Sequence, residues 1–294
     1  MHSVYPDLYP ETATEYLYYD GTGVRTWPSG TNVASAGLSS TARFFSIDLY
    51  DFAPRADPST FSSIDPVSVS NISILNKADE LANVVQAITS LTHVKDVIVI
   101  SHSMGGLDAR AYIEGQAVHY AAGGVCSDQD NYFTCSHAAK TMYTHDIKKL
   151  ITLDTPHSGA LTANIVTNIG GLCLLPGPCS CFETDTLNRR ELQEGSYVVD
   201  LLTIHAQNPP DALTIAAIQS YTSPSIPVLQ TDNGDGVVTQ LEQSIVNVAP
   251  SVPTYYDISD YFGTFNNFYG TTNAFPLHIL VTLGRPSGID TSEH

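Results

Sequence analysis

Ser103 is the residue whose surroundings best equip it to act as a nucleophile. It lies in the run Asp96-Val-Ile-Val-Ile-Ser101-His-Ser103-Met-Gly-Gly106-Leu-Asp-Ala-Arg110, where β-branched apolar residues give way to small ones and then to a helix-compatible stretch. That order is the layout of a nucleophile elbow. A sharp strand-to-helix turn lifts a serine hydroxyl out of a packed sheet to where a base can reach it. The first amides of the following helix carry partial positive charge and face an oxygen that becomes negative during acyl transfer. The implied chemistry is covalent catalysis by an activated hydroxyl, with the Met104 amide as one oxyanion-hole donor. Positions two before and two after the serine must be small. Gly105 meets that demand, and Ser101 meets it with one extra hydroxymethyl group.

Two segments carry a family resemblance. Ser101-His-Ser-Met-Gly-Gly-Leu-Asp-Ala-Arg110 resembles the serine-elbow segment of α/β-hydrolase-fold lipases, some of which have alanine at the Ser101 position. Leu150-Ile-Thr-Leu-Asp-Thr-Pro-His-Ser-Gly159 resembles the strand and turn that follow the first lid insertion in those enzymes. The resemblance implies a single α/β-hydrolase domain over residues 1–294, with a mostly parallel sheet, flanking helices and lid insertions. It also implies a secreted carboxylic ester hydrolase acting on acyl esters or lipids through a Ser-His-Asp triad. The chain order would be nucleophile, acid, base.

By that resemblance the acid is Asp235. It lies in Pro227-Val-Leu-Gln-Thr-Asp-Asn-Gly-Asp-Gly-Val-Val-Thr239, which is similar to the Asp-Gly-x-Val segment that carries the lipase acid. Asp232 in the same loop is a close rival. Asp154 is another, because a minority of lipases place the acid after the strand that Asp154 ends. The base is His278, which follows Ala274-Phe-Pro-Leu and begins the apolar stretch Ile279-Leu-Val-Thr-Leu283. His205 precedes Asp235 and breaks the order, and His294 is the last residue. His102 and His157 fall at motif positions that serve structure in the family. The second oxyanion donor of such enzymes follows an early strand marked by a His-Gly pair, and no such pair occurs here. Tyr16-Leu-Tyr-Tyr-Asp-Gly-Thr-Gly23 is expected to be an altered version of that strand and loop, the alternative being a strand outside this sequence.

Competing readings share these motifs. A lipid acyltransferase or glycolipid deacylase would differ only in pocket shape. A catalytically impaired lipid- or calcium-binding homologue is motivated by Ser101, by the missing His-Gly pair and by Thr231–Glu242. That loop has the third, fifth, sixth and twelfth residues of an EF-hand, but threonine at the first position. The ester chemistry itself requires no cofactor, so a structural calcium ion is the competing expectation.

Positioning these groups falls to alternating strands and helices. Arg43–Tyr50 reads as a buried strand. Lys77–Leu91 reads as an amphipathic helix, with Leu81, Val84, Val85, Ile88 and Leu91 on one face. A strand at Val97–Ile100 leads into the elbow and a helix through about Ala117. Further strands are expected at Lys149–Leu153 and Leu213–Gln219. This alternation predicts a mostly parallel sheet covered on both faces, with catalytic groups at the carboxyl ends of its strands. Two segments interrupt it, at about 120–145 and 159–210, and long insertions on that side of a sheet are expected to act as lids. The second holds the apolar run Ile165–Pro176 and an amphipathic stretch near Leu192–Leu202.

Composition narrows the partners. A hydrophobic content of 43% with 14% charged residues fits a packed globular chain. A formal net charge of −18 opposes binding to nucleic-acid backbones and to anionic membranes, and it reads as a solubility device. No apolar run approaches the ~20 residues of a membrane span, so no stable membrane insertion is expected. Met1–Tyr5 has no basic region leading into an apolar one, so no signal peptide is read there. Five cysteines nevertheless point to export. Cys126 and Cys135 bracket a short polar loop, Cys173, Cys179 and Cys181 crowd a Gly/Pro-rich one, and local disulfides suit these spacings better than zinc. Asn71-Ile-Ser73 is a glycosylation sequon of the kind expected by chance. Oligomeric state does not follow from the sequence.

Overall fold

The computed structural model describes residues 14–40, 42–49, 73–120, 126–129, 132–135, 138–161, 163, 190–205, 214–220, 254–257 and 278–283. Its strands are β1 (Thr14–Tyr19), β2 (Val24–Thr26), β3 (Phe44–Asp48), β4 (Val97–His102), β5 (Val118–Tyr120) and β6 (Cys126–Gln129). They continue with β7 (Tyr132–Cys135), β8 (Ala138–Lys140), β9 (Ile147–Leu153), β10 (Thr214–Ser220), β11 (Thr254–Asp257) and β12 (His278–Leu283). The helices are α1 (Val33–Ala36), α2 (Ile74–Thr92), α3 (Gly105–Ile113) and α4 (Tyr197–His205).

Eight strands form one sheet in the order β11-β10-β9-β4-β12-β3-β1-β2. Six of them point one way, and only β2 and β12 oppose the rest. The sheet is therefore mostly parallel, as the alternation of elements predicts. The exception is central. Ile279–Leu283, which the sequence marks only as an apolar stretch after His278, is the body of an antiparallel strand between β3 and β4. An uncharged run rich in Ile, Leu and Val suits a position with neighbours on both edges.

The helices touch in series, α1 to α2, α2 to α3 and α3 to α4. The face of α2 that carries Leu81, Val84, Val85 and Ile88 is wholly buried, and each such side chain contributes about 1.5–3 kcal/mol. α2 begins three residues before the expected start at Lys77. The reason is a cap from a distant segment: Glu191 accepts from the Ser73 hydroxyl at 2.6 Å and from the Ile74 N–H at 2.7 Å. Ser73 in turn accepts from the Leu75 N–H at 3.2 Å. At the other end His93 takes left-handed backbone, φ +58°, and closes the helix. α3 stops at Ile113 instead of running to Ala117, because Gly115 turns left-handed at φ +68°.

The segment between α3 and β9 holds four short strands, β5 paired with β8 and β6 paired with β7. Of the second insertion, residues 164–189 lie outside the described residues. Its amphipathic end forms α4, which buries Val198 and Leu202. Among the described residues no helix is long and apolar enough to cross a membrane.

Candidate active site

Ser103 has φ +53°, a conformation that costs a side-chain-bearing residue roughly 1–2 kcal/mol and persists only where the surroundings enforce it. The enforcement is visible on both sides. The Ser103 N–H donates to the Leu153 carbonyl at 2.9 Å, which ties the turn to the end of β9. Beyond it, the Gly106 N–H donates to the Ser103 carbonyl at 3.0 Å, and the Leu107 and Asp108 N–H groups donate to the Met104 carbonyl at 2.8 and 3.1 Å. None of the turn hydrogen bonds among the described residues uses the Met104 N–H. Ser103 is half-buried, while Ser101 and Met104 on either side are buried.

Glycine at 106 is a packing requirement. A Cβ there would lie 2.1 Å from Thr155 Oγ1, 2.6 Å from its Cγ2 and 2.8 Å from its Cβ. The α3 helix can start against the end of β9 only without that atom. Gly106→Ala is expected to destabilise the fold by about 1–3 kcal/mol through overpacking and to lower Tm by several degrees. Adding Thr155→Gly should recover most of the loss, because the two substitutions act on one contact. Thermal melting of the three variants checks this, and an unchanged Tm for Gly106→Ala alone would contradict it.

Buried polar groups lock the helix behind the elbow. Arg110, 1% exposed, donates to Glu114 at 2.9 Å, to the Leu202 carbonyl at 2.8 Å and to His157 Nδ1 at 3.2 Å. Because Nδ1 accepts from the guanidinium, the His157 proton sits on Nε2, 3.0 Å from Thr152 Oγ1. Burial, with the Arg110 charge adding to it, holds His157 well below the ordinary imidazole range and keeps it neutral. A second group joins α2, α3 and the segment before α4 through Lys77, Asp108 and Glu191. Burial pushes Asp108 up to about 8, with the Lys77 ammonium opposing the shift. It pushes Glu191 up to about 7 against the hydrogen bonds from Ser73 and Ile74. The amphipathic reading of α2 contained no sign of this cluster, in which Lys77 is buried together with its neighbours Asp79 and Glu80.

The other candidate residues are distributed unevenly. His278 is the first residue of β12 and stands opposite Asp48 of β3, while the next residue, Ile279, stands opposite Ser101 of β4. The start of β12 thus comes level with the elbow, one strand away. Asp235, its rival Asp232, the whole 231–242 loop and His294 lie outside the described residues. His205 ends α4. Asp154 directly follows β9 and is 2% exposed, with Oδ2 4.0 Å from His102 Nε2. Sequence reasoning left this contact out. Its only signal would have been that residue 102 ends a strand and residue 154 directly follows one, which becomes a contact once β4 and β9 are neighbours.

Residues 16–19 do lie in a strand, β1, but β3 and β12 separate it from β4. At a strand spacing of about 4.8 Å the loop after β1 begins roughly 14 Å from the elbow. Asp20 in that loop is already engaged, accepting from Thr22 Oγ1 at 2.7 Å and from the Thr22 and Gly23 N–H groups at 2.9 Å, and pairing with Arg25. Among the described residues no group of three or more His, Cys, Asp or Glu is arranged to hold a metal ion.

A strand, a serine at positive φ and a helix opening on two glycines, set at the carboxyl edge of a mostly parallel sheet, have the strand–turn–helix layout of an α/β-hydrolase-type fold. Among solved structures the chain is similar to the mature form of the Bacillus licheniformis lipase BlEst2, at 16% identity and a TM-score of 0.42, over 63% of this chain and 68% of that one. It is also similar to the lin2722 gene product from Listeria innocua, at 16% identity and a TM-score of 0.37, over 70% of each chain. A third is lipase 1 from Pelosinus fermentans, at 14% identity and a TM-score of 0.25, over 60% of this chain and 51% of that one. No family model matches the chain, and no curated protein matches it.

Proposed function

We propose that this protein is a lipase-like carboxylic ester hydrolase that cleaves acyl esters through an acyl-enzyme on Ser103. The observation that carries the reading is the Ser103 elbow, a strained turn held from both sides at a strand end. Ser103 Oγ attacks the ester carbonyl carbon while His278 takes the hydroxyl proton. The oxyanion that forms faces the Met104 N–H. Collapse breaks the ester C–O bond, and the leaving alkoxide takes its proton back from His278. Water then attacks the acyl carbon by the same route and releases the carboxylic acid and free Ser103. Asp235 holds the imidazole tautomer and balances its charge. The apolar run Ile165–Pro176 in the sequence favours acyl-chain substrates over small polar esters. These side chains need no metal.

Hydrolysis of p-nitrophenyl esters of graded chain length, by wild type and Ser103→Ala, tests the reading. An EDTA arm tests for calcium in the 231–242 loop. Turnover that rises toward longer acyl chains, depends on Ser103 and survives EDTA is expected. The position of β1 favours a second reading, because a loop that begins three strands from β4 is poorly placed to give a second oxyanion donor. A missing donor costs about 10²–10³ in rate, and a homologue so impaired would bind lipid without turning it over. Equal inactivity of wild type and Ser103→Ala with lipid binding retained would establish it.

We further propose that the protein works outside the cytoplasm with Cys126 and Cys135 bridged. The β6–β7 register sets the two directly opposite one another. Antiparallel partners lie about 4.5–5.5 Å apart at Cα, within the range a disulfide spans. A bridge closing so short a loop is expected to contribute about 2–3 kcal/mol. Non-reducing peptide mapping after refolding with oxidised glutathione should recover the pair, and dithiothreitol should lower Tm. A Cys126→Ser/Cys135→Ser variant that melts like the oxidised wild type contradicts the bridge.

A further inference from the structure

Residues 190–205 close the second insertion, and buried polar groups fasten them at both ends. At the front, Glu191 caps α2 by accepting from the Ser73 hydroxyl at 2.6 Å and the Ile74 N–H at 2.7 Å. The Leu192 carbonyl beside it accepts from the Ala160 N–H at 2.7 Å. At the back, Arg110 of α3 donates to the Leu202 carbonyl of α4 at 2.8 Å, and Val198, Val199 and Leu202 are buried. Behind Glu191 lies an unbalanced set of charges. The buried ammonium of Lys77 is faced by Asp108 of α3, Glu80 of α2, Glu191 and Asp48 of β3, four carboxyl groups to one cation. Asp108 is 0% exposed, and neither of its carboxyl oxygens has a hydrogen-bond partner among the described residues. An ionised carboxylate in that state is strongly disfavoured, because nothing replaces the water it has lost. Such a cluster is stable only while it holds protons.

We propose that this cluster is a proton-loaded latch: with protons on Asp108 and Glu191 it keeps residues 190–205 closed on α2 and α3, and loss of those protons lets the segment open locally. Its operation does not depend on catalysis at Ser103. The sign follows from where each proton is held. Burial pushes Glu191 up to about 7, against the hydrogen bonds from Ser73 and Ile74 and the Lys77 charge. In an opened segment the same carboxyl meets water and returns to its ordinary value of about 4.3. Between those values the closed state binds more protons than the open one. Its advantage is complete below about pH 4 and is lost as the pH rises through about 7. Burial pushes Asp108 up to about 8, with Lys77 opposing and Glu191 adding to the shift, and extends the loss to that pH. Lys77 acts in the opposite sense, since burial lowers its proton affinity while the four carboxyl groups oppose the fall. Arg110, bonded to Glu114 and to the Leu202 carbonyl, keeps its charge throughout. Burial raises Glu114 against that charge, at the far end of α3. Burial holds His157 neutral, with the Arg110 charge adding to it. Asp79 of α2 is bonded to His119 and Thr141. Tyr19 of β1 is raised by burial and by the Asp79, Asp20 and Glu80 charges, and so stays protonated.

Hydrogen exchange on the whole chain from about pH 5 to about pH 9, corrected for the intrinsic pH dependence of amide exchange, reads local opening directly. Protection of α4 should fall on the order of a hundredfold across that range, while β4 and β9 keep theirs. The scale is set by moving one carboxyl group from about 7 to about 4.3 on opening. Glu191→Gln keeps a side-chain acceptor for the α2 cap but cannot titrate, and Asp108→Asn removes the other proton site. Each should shrink the fall, and the double variant should change no more than about twofold over the range. Lys77→Met removes the opposing ammonium, so opening should begin at higher pH. Unchanged protection of α4 in the wild type overturns the latch, and so does a fall that is as large in the double variant. A fall shared equally by β4 and β9 also overturns it, since the whole fold is then opening. If Glu191→Gln does not fold, Asp108→Asn and Lys77→Met decide. A smaller fall in the first and a higher opening pH in the second sustain the latch, and wild-type behaviour in both overturns it.

Discussion

Ser103→Ala is expected to lower kcat for ester hydrolysis by about 10⁴-fold or more, the scale seen when a triad nucleophile is removed. The size follows from what is lost. Without the hydroxyl no acyl-enzyme forms, and only binding and the Met104 N–H are left to assist direct attack by water. The substitution also tests the turn, because alanine at φ +53° keeps the strain that serine bears. Ser103→Gly relieves it. The alanine variant should therefore melt near wild type and the glycine variant slightly higher or equal, with both inactive. Kinetics on p-nitrophenyl esters and thermal melting of the pair check this. Residual activity of the alanine variant above about a hundredth of wild type would move the nucleophile elsewhere, since such a remainder exceeds what oxyanion stabilisation and binding alone supply.

His278→Gln is expected to have an effect of the same order, about 10³–10⁴-fold on kcat near pH 8, because general-base removal and nucleophile removal act on one unit. Glutamine keeps a polar side chain of similar reach at the first position of β12 but cannot exchange a proton near neutrality. In the wild type, kcat/KM should fall on the acid side as the imidazole takes up a proton and stops acting as a base. The sign is fixed by the role, since a base works only unprotonated. In His278→Gln the remaining rate should lose that limb. A variant that keeps more than a tenth of the wild-type kcat, or the same acid limb, would take the base role from His278. His102 at the adjacent strand end is the next imidazole to examine. Asp235→Asn, measured beside it, should cost less than either.

Local chemistry made the elbow legible. A β-branched run forms a strand wherever it is buried, a serine between small residues turns sharply, and two glycines let a helix start at once. The β4 and α3 elements sit where those patterns place them. Gly106 is a strict requirement, and its reason, Thr155 across the turn, is not local. The end of α3 was readable in principle, because Gly115 interrupts the sequence two residues after Ile113. The start of α2 was not. It depends on Glu191, more than a hundred residues away, reaching back to Ser73 and Ile74. The buried faces of Lys77 and Asp108 were equally hidden, because hydropathy assigns a charge to water unless its partner is known.

The sequence by itself determined the strand–turn–helix around Ser103 and the parallel α/β character of the chain. Both depend on steric and hydrophobic rules that act within a few residues. Tertiary structure decided which strand ends are neighbours: β9 beside β4, which brings Asp154 to His102, β12 inside the sheet with His278 level with the elbow, and β1 separated from β4 by two strands. The reason is that strand pairing joins segments far apart in the chain. The entropy of closing such loops rises only slowly with their length, so many pairings compete on nearly equal terms. The burial of the whole sheet selects among them, and that total is a property of no single segment.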